Sequence, residues 1–365
     1  MKVLINASNL HHGGGVQVAA SFIVEAFCMN RFNLNVICSS TVYGNIKELI
    51  DPEKFESFHV VDVYSFKPIE KQLRHLFDGY DVCFTIFGPF YHRVKVRKHF
   101  CGFAQPWIVY AGDDVYNKLS LSSRIVKKIK FKIQEFFFRR YDVLFVEHED
   151  VKKKLIAKRF DSKRIMVVSN TISSIYDNID SWEPISIPAL KTSDLCLGYI
   201  GRAYEHKNIS IISDVVSVLW KDFGINVNVI VTLTDQEFES LGFDTNANIF
   251  TIGPLNVSQC PSFYKNIDML IFPSLLECFS ASPIEALKMG VPVLASDRSF
   301  IREICKDSVL YFDPHSPEDV ARLIYDLHNN KEKINLLKGN GYLIVKNLPS
   351  ARDRALSYLS TIYDV

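Results

Sequence analysis

Two carboxylates and two cations stand out for the chemistry their types and spacing offer. Glu277 and Glu285 flank the segment Cys278-Phe279-Ser280-Ala281-Ser282-Pro283-Ile284, and Gly290 follows. Ser282-Pro283-Ile284-Glu285 has the form of a helix start, with Ser282 as N-cap, Pro283 in the first turn and Glu285 completing a capping box. The free N–H groups and positive dipole end of such a start suit a phosphate. Arg202 follows Gly201 at the end of an apolar run, and Lys207-Asn208 precedes a helical stretch. A guanidinium supplies two parallel hydrogen bonds and an ammonium a point charge, a pair suited to a diphosphate without a metal ion. The plainer alternative makes Glu285 a cap, Glu277 a solvated loop carboxylate and the cations a surface cluster.

These residues need a scaffold, and the hydrophobic pattern supplies one. Val3–Ala7 reads as a buried strand, followed by His11-His12-Gly13-Gly14-Gly15 and then apolar residues at 18, 19, 22, 23, 26 and 27, one face of a helix. Strand-like runs continue at 33–38, 58–63, 81–87, 101–104, 143–147 and 165–168. Periodicity lapses over 171–194, which reads as a linker. It restarts with a strand at Leu195–Gly201, a helix over 209–222, and strands near 226–232, 248–252, 268–272, 292–295 and 308–312. Ser316-Pro317 opens a further helix. The pattern predicts an α/β protein of two Rossmann-like parallel-sheet domains. Residues 1–180 form the first, 181–349 the second, and 350–365 a C-terminal helix that packs back on the first through Ala355, Tyr358, Leu359 and Ile362. Arg202, Lys207, Glu277 and Glu285 then share the carboxyl edge of the second sheet, where ligands of open α/β sheets bind.

The first glycine loop falls short of a dinucleotide fingerprint. Gly13 and Gly15 fit its first two positions, but Val18 stands at the third and Ser39-Ser40 where the ribose carboxylate belongs. Two readings stay open: a tight strand–helix turn with no ligand, and a loop whose Gly14 and Gly15 approach a ligand from the first domain.

Composition narrows the class. The 365 residues carry a net charge of +1, so no overall field draws nucleic acid or membrane. Eight cysteines are scattered without a CxxC or Cys/His cluster, which points to a reducing compartment rather than a disulfide framework or zinc site. Neither a signal-peptide core nor a membrane-spanning run is present, so a cytoplasmic setting is expected. No Asp-x-Asp motif occurs, and Asp113-Asp114 is a poor substitute, so no metal and no cofactor are expected.

Gly201-Arg202, Lys207-Asn208, Glu277 and Glu285, in that order and with Phe279 and Pro292-Val293, resemble family 4 of the retaining glycosyltransferases, which have the GT-B fold. "VEHEDVKKKL" and "RIMVVSNTI" resemble the end of its first domain, and "PVLASDRSFIREIC" and "VLYFDPHSPEDVARLI" its closing segments, so the likeness covers most of the chain. It implies two domains facing across a cleft, with a nucleotide-sugar donor held by the second. By this resemblance Arg202 and Lys207 bind the donor diphosphate, Glu277 the transferred sugar, and Glu285 the ribose hydroxyls. Backbone N–H groups of Ser280, Ala281 and Ser282 meet sugar and phosphate. Ser280 stands where the family often has Gly, and Gln105 where it often has an acceptor-side His. Gln105, Trp107 and His12 are therefore acceptor-side candidates. The implied reaction moves a hexosyl group, with retention, onto a glycan or lipid-linked glycan of O-antigen or capsule type. Front-face displacement suits it, since no covalent nucleophile stands out. A nucleotide-sugar 2-epimerase of the same fold and a non-catalytic nucleotide-sugar-binding protein are the alternatives.

Residues 124–140 hold seven Lys/Arg against one Glu. Helical spacing sets Ile125, Ile129, Ile133, Phe136 and Phe137 apart from most cations. Either this apolar side packs on the first sheet, or the helix touches anionic lipid where a lipid-linked acceptor would lie.

Overall fold

Parallel strands covered on both faces read as unbroken apolar runs, and here such runs become the central strands. The computed structural model describes residues 1–188, 190 and 192–364, with the Asp113 side chain outside the described residues. The chain divides into two units, Met1–Thr171 with Pro349–Val365, and Ile172–Leu348.

The first unit is built on β1 (Val3–Ala7), β2 (Leu34–Cys38), β3 (Ser57–Val60), β4 (Val82–Thr85), β5 (Lys98–Gly102), β6 (Val143–Val146) and β7 (Ile165–Val167). All pairings are parallel, in the order β3-β2-β1-β4-β5-β6-β7. The helix Gly14–Met29 buries Val16, Ala19, Phe22, Ile23 and Ala26. The helix Ala351–Tyr363, opened by a Ser350–Asp353 capping box, packs in this same unit. Its Tyr358 meets the rings of Phe22, Phe84 and Phe145, with centroids 5.9, 5.1 and 4.9 Å away. Its Arg354, 2% exposed, donates to Asn170 Oδ1 and to Ser21 Oγ, while Asn170 donates to Glu147 Oε1 at 2.6 Å.

The second unit is built on β8 (Leu195–Tyr199), β9 (Val227–Val231), β10 (Ile249–Thr251), β11 (Met269–Phe272), β12 (Val293–Ser296) and β13 (Leu310–Phe312). These too are parallel, in the order β10-β9-β8-β11-β12-β13. The helix Ile211–Phe223 buries Ile211, Ile212, Val215, Val216 and Leu219 and stops at left-handed Gly224. Each unit is thus the Rossmann-like parallel sheet that the hydrophobic pattern predicts.

Three sequence expectations need correction. The expected linker begins inside the second unit: Tyr176 is buried there, Trp182 Nε1 donates to Ile175 O at 2.7 Å, and Lys288 pairs with Asp177. Pattern analysis misses this because the segment folds as short 3₁₀ turns, Ser174–Asp177 and Ile179–Ser181, which have no amphipathic period. The helix read as starting at Ser282 runs from Ala281 to Lys288, with Ser280 at the N-cap and no side-chain cap. Glu285 therefore lies beyond the capping position, and its carboxylate is taken up by a tyrosine described below. Finally, the helix Leu121–Phe138 buries Phe131, Gln134 and Phe138 instead of the Ile125–Ile129–Ile133 side. Periodicity finds apolar faces, and it does not say which of two faces the core.

Candidate functional site

An open parallel sheet has a crevice where its strand order turns back, because the loops leaving the two strands there diverge. In the second unit this point lies between β8 and β11. The loop after β8 carries Arg202 and Lys207, and the loop after β11 carries Glu277 and the start of the helix Ala281–Lys288. Arg202, Lys207, Glu277 and Ser280 thus come from the two loops that flank one crevice.

The loop after β8 is tightly specified. Gly201 has φ +147°, a conformation that L side chains rarely adopt, and its N–H donates to Thr232 Oγ1 at 3.0 Å. Tyr199, buried at the strand end, donates from its hydroxyl to Arg202 O at 3.0 Å. Asn208 takes a left-handed conformation and its side chain donates to Pro314 O at 2.8 Å. Lys207 is the last residue of the short 3₁₀ turn Glu205–Lys207 and is held from both sides.

Both cations already meet carboxylates. Lys207 Nζ pairs with Glu277 Oε1, their side chains only 17% and 11% exposed. Arg202 is half-exposed, and its Nε donates to Glu237 Oε1 and Oε2 at 2.8 and 3.1 Å. Glu237 also accepts from the N–H groups of Ala203 and Thr234, at 3.1 Å each. Desolvation raises the Glu237 pKa, but the hydrogen bonds from Arg202, Thr234 and Ala203 outweigh it and hold the carboxyl below its ordinary value. Glu237 was not among the sequence candidates. It belongs to the helix Asp235–Ser240 that follows β9, where its capping box with Thr234 is a local signal but its contact with Arg202 is not.

Glu285 sits apart from these pairs. Its Oε2 accepts from the Tyr264 hydroxyl at 2.9 Å, and the same hydroxyl lies 3.1 Å from Ser282 O. Burial raises the Glu285 pKa above the ordinary carboxyl value, and the hydrogen bond from Tyr264 only partly offsets this. Burial, with Glu285 second, pushes the Cys260 thiol up to about 12 and raises the Tyr264 and Tyr176 hydroxyls. Tyr264, Tyr176 and Cys260 are absent from the sequence reading because only tertiary folding gathers them here.

The raised pKa has a testable sign. An acid whose folded pKa exceeds its unfolded one contributes full stability below the unfolded value, near 4.5, and loses it as pH rises through the folded value. Glu285→Gln keeps the shape without the charge. Its urea midpoint should exceed wild type at about pH 8 and match it at about pH 4. A midpoint below wild type at both values would show that the carboxylate is stabilising.

The helix Ala281–Lys288 presents first-turn N–H groups from Ala281 and Ser282 without side-chain caps, and Ser280 Oγ lies 3.4 Å from Ser282 Oγ.

In the first unit the strand order turns back between β1 and β4. Gly13, with φ +72°, is the N-cap of the helix that Gly14 and Gly15 begin, beside exposed His12. Gly15 leaves only ordinary contact distance for a Cβ, 3.4 Å to Leu10 and 3.5 Å to Phe87. Neighbouring His11 stacks on Tyr64 at 4.1 Å and lies 3.6 Å from Asp62. Gln105 and Trp107 follow β5 at the start of the helix Pro106–Val109. Gln105 is half-buried. Trp107 is buried, stacked on Phe131 at 5.3 Å with Lys127 over its ring. Among the described residues, no three His, Cys, Asp or Glu side chains gather as metal ligands.

A switch-point crevice with two preset cations and an uncapped helix start is the geometry of an anion site on an α/β sheet, and it lies in a segment with a known counterpart. Residues 180–343 match the family model of the glycosyl transferases group 1. Among curated relatives of this group, the O-antigen chain mannosyltransferase RfbU of Salmonella typhimurium is 25% identical over 167 residues, 44% of each chain. The serotype-specific mannosyltransferase WbdA of Escherichia coli is 30% identical over 114 residues, 28% of this chain and 14% of that one. The chain thus spans less than half the length of these relatives. Solved structures share the fold at low identity. WaaG, a glycosyltransferase involved in lipopolysaccharide biosynthesis, superposes with TM-score 0.67 at 14% identity, over 97% of this chain and 98% of that one. Anabaena HepE, solved with UDP-glucose, does so with TM-score 0.67 at 11% identity over the whole of both chains.

Proposed function

We propose that the protein is a glycosyltransferase that moves a hexosyl group from a nucleoside-diphosphate donor to a hydroxyl of a glycan or lipid-linked glycan, in O-antigen or capsule-type polysaccharide synthesis. The observation that carries this reading is the juxtaposition at the second unit's switch point of Arg202, Lys207 and the uncapped start of the helix Ala281–Lys288. The match to the group 1 glycosyl transferases covers that same segment.

In this reading the donor diphosphate displaces Glu277 and Glu237 from part of their hold on the cations. Arg202 and Lys207, with the N–H groups of Ala281 and Ser282, stabilise the negative charge that develops on the leaving nucleoside diphosphate. Glu277 turns to the hydroxyls of the transferred sugar, and Glu285, oriented by Tyr264, accepts from the ribose. Ser280 borders the sugar and narrows its choice. The acceptor hydroxyl attacks the anomeric carbon from the leaving-group face, and its proton passes to the departing phosphate oxygen, which retains the configuration. Two protein cations at the diphosphate make a metal unnecessary, and no cofactor takes part. In this reading Gly14 and Gly15 of the first unit also serve donor binding, and His12, Gln105 and Trp107 serve acceptor binding. Peripheral attachment to an anionic membrane through residues 124–140, on the cytoplasmic face, is part of the same reading.

Calorimetry with nucleoside diphosphates and nucleotide sugars tests it. One nucleotide should bind equally well with and without EDTA, and Arg202→Ala should weaken it by about tenfold or more, the worth of one charge-assisted contact. Binding that vanishes with EDTA would refute metal independence. Binding of no nucleotide would refute the donor site.

A further inference from the structure

Three neighbouring strand ends of the first unit carry side chains that the proposed transfer does not use. His11 follows β1, Ser40 follows β2, and Asp62 and Tyr64 follow β3, all at the carboxyl edge of the sheet. Hydrogen bonds lace these loops together. Val63 N donates to Ser8 O at 3.0 Å, and buried Ser39 donates from its hydroxyl to Leu10 O. Asp62 Oδ1 accepts from Ser40 N at 2.9 Å and from Ser40 Oγ at 3.1 Å. His11 is fixed between the loops, with Nε2 3.0 Å from Val63 O and Nδ1 3.6 Å from Asp62 Oδ1, and its side chain is only 11% exposed.

The Tyr64 ring stacks on this imidazole, with centroids 4.1 Å apart and planes 13° from parallel. Tyr64 is still 48% exposed, so the protein covers one face of the ring and leaves the other open. The chain then turns sharply. Ser65 is left-handed at φ +44°, Lys67 N donates to Tyr64 O at 2.9 Å, and Lys67 Nζ comes within 5.5 Å of the ring centre. Asp62 keeps its side chain 33% exposed, and among the described residues nothing bonds its second oxygen, Oδ2. An immobile aromatic face thus has an acceptor and a donor beside it. The electron-rich face of a tyrosine attracts the electron-poor C–H groups of a pyranose ring, and the hydroxyls around that ring need acceptors and donors at the edge. One charge of each sign leaves no net field for a phosphate, so a neutral sugar fits better than a nucleotide.

We propose that Tyr64, Asp62 and Lys67 form a sugar subsite on the first unit. One hexose ring of the acceptor glycan stacks on the open face of Tyr64, with its hydroxyls donating to Asp62 Oδ2 and accepting from the Lys67 ammonium. Because stacking on His11 already sets the plane of the tyrosine, little rotamer freedom is lost when the sugar docks. The inference deepens the acceptor side of the proposed transfer and rests on that reading for its purpose.

Saturation-transfer NMR and calorimetry on the full chain, with linear trisaccharides of glucose, galactose and mannose as probes, decide the matter. Wild type should bind at least one of them, with saturation strongest on the C–H protons of a single sugar ring. Tyr64→Leu covers His11 but has no aromatic face, and it should weaken that binding about tenfold, the scale of losing one aromatic contact. Tyr64→Phe should keep most of it. Asp62→Asn should lose about tenfold, as one hydrogen bond to a charged group requires. The thermal midpoint of Tyr64→Leu should hold, and so should its affinity for nucleoside diphosphates. Wild type that binds no trisaccharide overturns the proposal, as does either Tyr64→Leu or Asp62→Asn binding like wild type. A loss of nucleotide affinity in Tyr64→Leu overturns it too, because the ring would then stack a base. Failure of the donor reading looks different: wild type would bind no nucleotide while the trisaccharide still bound.

Discussion

Lys207→Met should lower glycosyl transfer by about a thousandfold, the scale of losing one preset charge contact to a transition state, and should also destabilise the second unit. The two effects have different causes. Turnover falls because the leaving diphosphate loses a cation. Stability falls because Glu277, more enclosed than Lys207, is left without its partner. Breaking an enclosed pair from one side costs about 3 kcal/mol or more, whereas replacing both partners is close to neutral. Lys207→Met/Glu277→Gln should therefore recover most of the urea midpoint and none of the rate. If turnover in Lys207→Met stays within tenfold of wild type, the lysine is a structural partner of Glu277 and the diphosphate lies elsewhere.

The second large effect belongs to the first unit. Tyr358→Ala should destabilise it by about 3–5 kcal/mol, the usual cost of deleting a buried aromatic ring. Tyr358 is 3% exposed and sits among Phe22, Phe84 and Phe145, so no solvent can fill the space it leaves. Tyr358→Phe keeps the ring and should cost far less. Two units need not unfold together, so the measurement should follow urea unfolding by two probes and look for a shift in one transition alone. An unchanged profile for Tyr358→Ala would mean that the last helix contributes little to the first unit.

The scaffold was legible in the sequence because buried parallel strands leave a blunt signature. All the expected strands formed, and Ser316 caps its helix as read, accepting from Asp319 N. Arg202, Lys207 and Glu277 were legible by type and by position at strand ends. Their partners were less so. Glu237 reaches Arg202 from the helix after β9, and Tyr264 reaches Glu285 from the helix before β11, contacts that no local spacing encodes. Ser282 misled as a cap because Ser280 and Ser282 are both cap-forming types, and only the backbone decides between them. In the helix Leu121–Phe138, two apolar stripes of similar strength left the inward one undetermined.

The place of the helix Ala351–Tyr363 in the first unit has a consequence for biosynthesis. A ribosome makes Phe22, Phe84 and Phe145 long before it makes Tyr358, so their shared seam waits open while the whole second unit is translated. The second unit is one continuous segment and can close as it emerges, whereas the first can finish only after the last turn has left the exit tunnel. Maturation would then run against the direction of synthesis, the later unit first. In the interval the nascent chain carries an uncovered aromatic seam, the kind of surface that chaperones hold.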